Sequence, residues 1–171
     1  NNERKSIDRE ITFEAINMVK NSPGFANKKS TIVYNPQWHK GVVGIVASRL
    51  VEAFYRPTIV LTQSNGFITG SARSITGFDL YAAIEHCSEY LENFGGHMYA
   101  AGLTMKEENL EAFCTKFEDY VVSKITDELL VPLVNIDSYL DFKQITPKFF
   151  RLLKQFQPFG PGNQSPVFIT E

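Results

Sequence analysis

From its first residues the chain sets apolar positions at helical spacing. Ile7, Ile11, Ala15 and Met18/Val19 recur at intervals of three and four, one stripe of an amphipathic helix, until Asn21-Ser22-Pro23-Gly24 breaks the pattern. From Thr31 the texture changes. Thr31-Ile32-Val33-Tyr34 predicts a short strand, and Gly41 to Phe54 a largely apolar helix. Thr58 to Thr62, after Pro57, and Gly66 to Arg73 predict two more strands joined by a hairpin turn at Gln63-Ser64-Asn65-Gly66. Residues 79–93 place Leu80, Ala83, Ile84, Cys87 and Leu91 on one helical face. After Gly95-Gly96, a small-residue strand from Ala100 to Met105 precedes a helix marked by Leu110, Phe113, Phe117 and Val121. Strands alternating with helices predict an α/β layered domain.

Beyond Pro132 the pattern shifts again. Residues 133–142 read as a strand with broken alternation, and Thr146-Pro147 opens a short helix through Leu152, Leu153 and Phe156, with proline at a favourable first-turn position. Pro158-Phe159-Gly160-Pro161-Gly162-Asn163 predicts a rigid loop before a last strand begins at Val167-Phe168-Ile169. That strand has no partner following it, which suggests a second domain only partly present, with a boundary near residue 130.

Composition narrows the class. The 171 residues are 43% apolar and 21% charged, ordinary globular usage that excludes a disordered tail, a collagen or a disulfide scaffold. No apolar run reaches the roughly 18 residues of a membrane span, and the opening NNERKSIDRE is the opposite of a signal peptide, so a soluble, cytoplasmic protein is expected. Cys87 and Cys114 are isolated thiols without CxxC spacing, read as core residues in a reducing compartment. The three histidines, His39, His86 and His97, form no metal-ligand spacing.

Net charge is −2, unevenly spread. Lys/Arg outnumber Asp/Glu by six to four over residues 1–30 and four to two over 31–81, whereas 82–130 carry three against ten. A modest basic face in the first half suits an anionic partner; a solvated acidic helix surface explains the rest equally well.

Three glycine-containing clusters offer chemistry. In Trp38-His39-Lys40-Gly41-Val42-Val43-Gly44, continuing through Arg49, the glycines allow close approach of a backbone or ligand, and Arg49 sits in an apolar helix where it needs an ion-pair partner or an anion. In Gly70-Ser71-Ala72-Arg73-Ser74, strand alternation puts Ser71 and Arg73 on one face, a hydroxyl beside a planar guanidinium, as a phosphate requires; a surface arginine on an edge strand is the plainer reading. In Gly95-Gly96-His97, the glycines can turn amides toward an anion and His97 can donate to a phosphate oxygen, although a turn histidine is commoner.

Taken in order, WHxGVVGIVASRL, GSARS with Phe78-Asp79-Leu80, GGHxxAAGL and the late PFGPGN loop resemble the C-terminal half of the RecJ family of single-strand-specific 5′ exonucleases, within the DHH phosphoesterase superfamily. The resemblance covers nearly the whole chain. It implies a connecting helix and linker at residues 1–29, with Asn2-Glu3-Arg4-Lys5 leading into the helix through Glu14-Ala15. It implies a mixed-sheet, DHH-associated, substrate-binding domain at 30–130 and a partial OB-fold domain at 131–171. It also implies a parent enzyme that degrades single-stranded DNA 5′→3′ in recombination and repair, with manganese or magnesium held in an upstream Asp-His-His lobe. No Asp-His-His occurs here, so the chain is expected to hold substrate and not to cut it.

Carried over position by position, Ser71 and Arg73 would contact the DNA 5′-phosphate, with Arg49 adding a second guanidinium. Gly95, Gly96 and His97 would lie alongside, near the scissile phosphate, where His97 steadies phosphoryl charge. His39 and Ser74 are possible strand contacts, and Asn163 fixes a turn. Two enzyme alternatives share the GGH-bearing domain. DHH phosphoesterases of short oligonucleotides or cyclic dinucleotides usually lack the OB portion, and the C-terminal part of alanyl-tRNA synthetases lacks the WHxGVVGIVASRL and GSARS runs. A non-catalytic nucleic-acid-binding module is the alternative of another class.

Overall fold

The computed structural model describes residues 2–160 and 162–170, with side chains from Ser6 onward. Pro161 of the predicted loop and the side chains of Asn2-Glu3-Arg4-Lys5 lie outside the described residues. The chain divides into one compact unit that runs through Pro132 and another that begins at Leu133.

The first unit is built on five strands: β1 (Thr31–Tyr34), β2 (Thr58–Ser64), β3 (Phe67–Arg73), β4 (Asn93–His97) and β5 (Ala100–Met105). They lie in the order β1-β2-β3-β5-β4. β1 and β2 are parallel, as a connection through helix α2 (Val43–Phe54) allows, and the other pairings are antiparallel. β2 turns into β3 at Asn65-Gly66, both with positive φ (54° and 79°), the conformation a tight two-residue hairpin demands.

The two sheet faces carry separate cores. On one, Ile59, Leu61, Ile68, Ala72, Leu103 and Met105 pack with α3 (Leu80–Glu85) and α4 (Leu110–Lys124), whose Phe113, Phe117 and Val121 are buried at the predicted spacing. On the other, Val33 and Val60 pack beneath α2 and α1 (Asn2–Asn21) through Val43, Val46, Ala47, Leu50, Ile11, Ala15 and Val19. The second core covers only the β1–β2 side of its face, so Asn93, Gly95, His97 and Gly102 on β4 and β5 remain exposed. That half-covered sheet is what positions the site.

Several elements depart from the sequence reading. The helix predicted over 79–93 stops at Glu85 and continues as a 3-10 turn at Ser88–Tyr90, because Glu92 N–H is taken by Thr104 O as β4 begins. Gly95-Gly96-His97 is edge strand, not turn, and the reversal falls at Met98-Tyr99. α2 starts at Val43, two residues later than predicted, after a turn in which Val42 N–H meets His39 O.

In the second unit the strand predicted over 133–142 shrinks to β6 (Ser138–Tyr139). The last strand does find a partner, since β7 (Phe168–Ile169) pairs in parallel with β6. Helix α5 (Pro147–Lys154) carries the predicted proline in its first turn, capped by Thr146 Oγ1, which accepts from Phe149 N–H at 3.2 Å. None of the described residues of this unit is buried.

Cys87 lies in the core and Cys114 is half-buried. Burial pushes both thiols up to about 11. No described helix is long and apolar enough to cross a membrane.

Candidate nucleic-acid interface

Directly opposed residues on neighbouring strands share a face, so strand register shows what surrounds Ser71 and Arg73. Ser71 pairs with Gly102, which pairs with Gly95; Arg73 pairs with Ala100, which pairs with His97. Two rows therefore cross the open part of the sheet, one from the Ser71 hydroxyl over two glycines, the other from the Arg73 guanidinium over Ala100 to the His97 imidazole. β5 stands between β3 and β4. Gly95-Gly96-His97 is thus not alongside Ser71 and Arg73, as the sequence reading expects, but about 10 Å away, two strand spacings of roughly 4.8 Å.

The Arg73 side chain is held at its base. Its Nη1 donates to Ser71 Oγ at 2.9 Å and to Ala72 O at 2.8 Å, which leaves Nε and Nη2 for other partners. Above them lies the first turn of α2. A Cβ at Gly44 would sit 3.0 Å from Arg73 Nη2 and 3.2 Å from Ser71 Oγ, so only glycine lets the helix approach without displacing the guanidinium. Between α2 and β3 opens a groove of about 570 Å³, lined by Gly41, Gly44, Ile45, Ser48, Arg49, Glu52 and Arg73. Two guanidiniums, Arg49 and Arg73, and the carboxylate of Glu52 line it.

Arg49 has the ion-pair partner that its place in an apolar helix calls for. Its Nη2 lies 2.7 Å from Asp8 Oδ2 on α1, an ion pair, while the residue also lines the groove. Of the other predicted positions, His97 stands exposed at the far sheet edge. Its Nδ1 accepts from Tyr99 N–H at 3.2 Å, which places the neutral ring's proton on Nε2 as a free-standing donor. His39 is engaged likewise, Nδ1 accepting from Gly41 N–H at 3.0 Å, and it belongs to a different recess beside Trp38 and Glu14. Ser74 donates to Phe78 O at 2.8 Å and closes a local turn, away from the groove lining. Asp79 caps α3 by accepting from Ala82 N–H, so the Phe78-Asp79-Leu80 run is structural.

Gly96 has φ +151°, and a Cβ there would meet Ala100 O at 2.2 Å; its role is to let β4 pair closely with β5. Asn163 holds its own loop, donating from Nδ2 to Phe156 O at 2.7 Å and Pro158 O at 3.0 Å. The sequence reading missed Asp8 and Gly102. Asp8 had a visible signal, a carboxylate followed four residues later by Thr12 beside the apolar stripe of α1.

Among the described residues, no three His, Cys, Asp or Glu side chains gather as a metal ion would need. The described residues thus offer no donor set for manganese or magnesium, which the family resemblance places in an upstream lobe.

Comparison with known proteins places the two units in known domains. The DHHA1 domain model matches residues 27–123, and the RecJ OB domain model matches residues 136–171. The single-stranded-DNA-specific exonuclease RecJ of Bacillus subtilis is 36% identical over 173 residues, covering all of this chain and 22% of that protein. Two crystal structures of RecJ from Thermus thermophilus superpose on it. The complex with Mg2+ has a TM-score of 0.84 at 30% identity, covering 98% of this chain and 25% of the other. The complex with Mn2+ has a TM-score of 0.84 at 29% identity, covering 99% and 24%. The chain thus spans about a quarter of the length of these relatives. It belongs to the RecJ family, of which it comprises the DHHA1 domain and the residues matched by the RecJ OB domain.

Proposed function

We propose that this chain is the substrate-holding part of a single-stranded-DNA-specific 5′→3′ exonuclease of cytoplasmic recombination and repair, and that the groove between α2 and β3 receives the strand's 5′-phosphate. The observation that carries this is the Arg73 guanidinium, braced by Ser71 beneath Gly44 with Nε and Nη2 uncommitted, in a recess that Arg49 shares. A terminal phosphate carries one more ionisable oxygen than an internal diester. Two guanidiniums reward that extra charge with forked, charge-assisted bonds, and so select an end over a middle. The relatives' name, single-stranded-DNA-specific exonuclease, supports the same substrate.

From the groove the strand would cross the bare face of β5 toward His97, whose Nε2–H would donate to a phosphoryl oxygen. Gly95, on the same face as His97, keeps that edge low enough for the backbone to approach, whereas Gly96 faces the other side of the sheet. Metal ions such as the Mg2+ and Mn2+ of the T. thermophilus structures would supply activated water, held by residues outside this chain. In this division residues 1–29 connect, 30–130 bind substrate and 131–171 open an OB-type domain. The OB match disfavours phosphoesterases of short oligonucleotides or cyclic dinucleotides.

The test is chemical-shift mapping of the isotopically labelled chain with a 5′-phosphorylated oligodeoxythymidylate. Shifts centred on the amides of Gly44, Ser71, Arg73 and Gly102 are expected. Shifts confined to the recess beside Trp38, or to the acidic surface of α4, would refute the placement.

A further inference from the structure

The buried stripe of α1 is apolar at Ile11, Ala15 and Val19, but it also buries Asp8 and Thr12. A carboxylate in that position needs a reason, because burying a charge is costly unless it is paired and hydrogen-bonded. Asp8 is paired through Oδ2 to Arg49 Nη2 at 2.7 Å, and Thr12 donates to its Oδ1 at 3.4 Å. The exposures are unequal: the Asp8 side chain is 7% exposed and that of Arg49 41%. The carboxylate is fixed inside the helix pair, and the guanidinium reaches from it into the groove that Arg73 also lines. One edge of Arg49 is anchored, and the residue lines the recess. Two guanidiniums sharing one recess also repel each other, and Asp8 offsets that repulsion when no anion is present. Glu52, the other carboxylate of the groove, is exposed and forms no ion pair among the described residues.

We propose that Asp8 is a positioning residue of the phosphate groove. By holding one edge of Arg49 it fixes the second guanidinium where it completes, with Arg73, the set of charge-assisted bonds to a terminal phosphate. The proposal rests on the phosphate reading of the groove, and it has a signature that electrostatics alone does not give. Deleting a negative charge near an anion site should tighten anion binding. If Asp8 acts by orientation, deleting its charge should weaken binding instead.

The experiment measures Kd of the 171-residue chain for a 5′-phosphorylated and a 5′-hydroxyl oligodeoxythymidylate, at low salt and below the melting temperature of every variant. Asp8→Asn is expected to lower affinity for the phosphorylated strand roughly tenfold, one charge-assisted bond, with little effect on the hydroxyl strand. Arg49→Ala should cost as much. The double variant Asp8→Asn/Arg49→Ala should cost no more than Arg49→Ala alone, because both act through one guanidinium. Asp8→Glu, which keeps the anchor charge, should recover part of the loss and serves in place of Asp8→Asn if that variant does not fold. Unchanged or tighter binding by Asp8→Asn, or full additivity in the double variant, overturns the proposal. If Arg73→Ala also leaves the preference for a 5′-phosphate untouched, the phosphate reading falls with it; if Arg73→Ala abolishes that preference, only the positioning role is lost.

Discussion

A methyl group added at position 102 separates the demands of the fold from those of the ligand. Gly102 pairs with Ser71 on one side and Gly95 on the other, in the middle of the open sheet face. A Cβ there would meet Gly70 O at 3.8 Å, an ordinary contact, and the backbone lies outside the left-handed region. Gly102→Ala should therefore not strain the native state. By restricting the unfolded chain it should stabilise the domain by about 0.4–1 kcal/mol. The ligand should respond in the opposite sense. A methyl on the floor lifts a bound strand by an ångström or so, enough to take one charge-assisted bond out of range and cost about 1.5 kcal/mol, roughly tenfold in Kd.

Two neighbouring glycines calibrate the result. A Cβ at Gly70 points into the core, 2.4 Å from Leu61 Cδ2 and 2.7 Å from Val60 O, so Gly70→Ala should lose about 1–3 kcal/mol of stability by overpacking. Gly96→Ala should be worse, since a Cβ there would meet two backbone atoms, Ala100 O at 2.2 Å and Ala101 Cα at 2.5 Å, at a φ of +151°. Urea melts give the stabilities, and fluorescence anisotropy with a labelled 5′-phosphorylated single strand gives Kd. A more stable Gly102→Ala that binds like the wild type would refute the path of the strand across β5.

Three further outcomes follow from the same structure. The Glu118 carboxylate accepts from Lys29 N–H at 2.7 Å, Ser30 N–H at 3.1 Å and Ser30 Oγ, so Glu118→Ala should cost about 2–3 kcal/mol in urea melts by orphaning those donors; a loss under ~0.5 kcal/mol would contradict this. Burial holds the Cys87 and Cys114 thiols at about 11 against an ordinary 9.0, so they favour the folded state fully below pH 9.0, and this contribution is lost as pH rises through about 11. Both should react slowly with a disulfide reagent near pH ~8 and rapidly in denaturing urea; fast native labelling would contradict the burial. Amides of β6 and β7 should exchange far sooner than those of β2, β3 and β5, because no described residue after Pro132 is buried; equal protection would show a cooperative element there.

Much of the first unit was legible because its elements obey simple periods. The stripes of α1 and α4 and the Asn65-Gly66 hairpin follow from local spacing and turn chemistry. The Ser71/Arg73 face follows from strand alternation, and Arg73 Nη1 does meet Ser71 Oγ. What escaped depends on pairing between distant segments. No local rule says that β5 inserts between β3 and β4, so the distance from Arg73 to His97 was misjudged. The spacing of Leu80, Ala83, Ile84 and Cys87 correctly marks a buried face, but the demand of Thr104 O for Glu92 N–H ends that helix early. The Asp8–Arg49 pair joins residues 41 positions apart. Local patterns thus revealed that Arg49 needs a partner, but not which one.

The central claim, that the α2–β3 groove reads a terminal phosphate, is tested most directly by the Kd ratio for 5′-hydroxyl over 5′-phosphorylated single strands in wild type, Arg73→Ala and Arg73→Lys. Wild type should prefer the phosphorylated end. Arg73→Ala should reduce that preference about tenfold, for ~1.5 kcal/mol of lost charge-assisted bonding. Arg73→Lys should recover only part of it, since lysine keeps the charge without the fork. Melting temperatures should fall only slightly, because the half-buried Arg73 side chain contributes two hydrogen bonds, to Ser71 Oγ and Ala72 O, and no part of the apolar core. A ratio that stays constant while both affinities fall together would contradict the claim, leaving Arg73 a general strand contact and moving recognition of the end outside this groove.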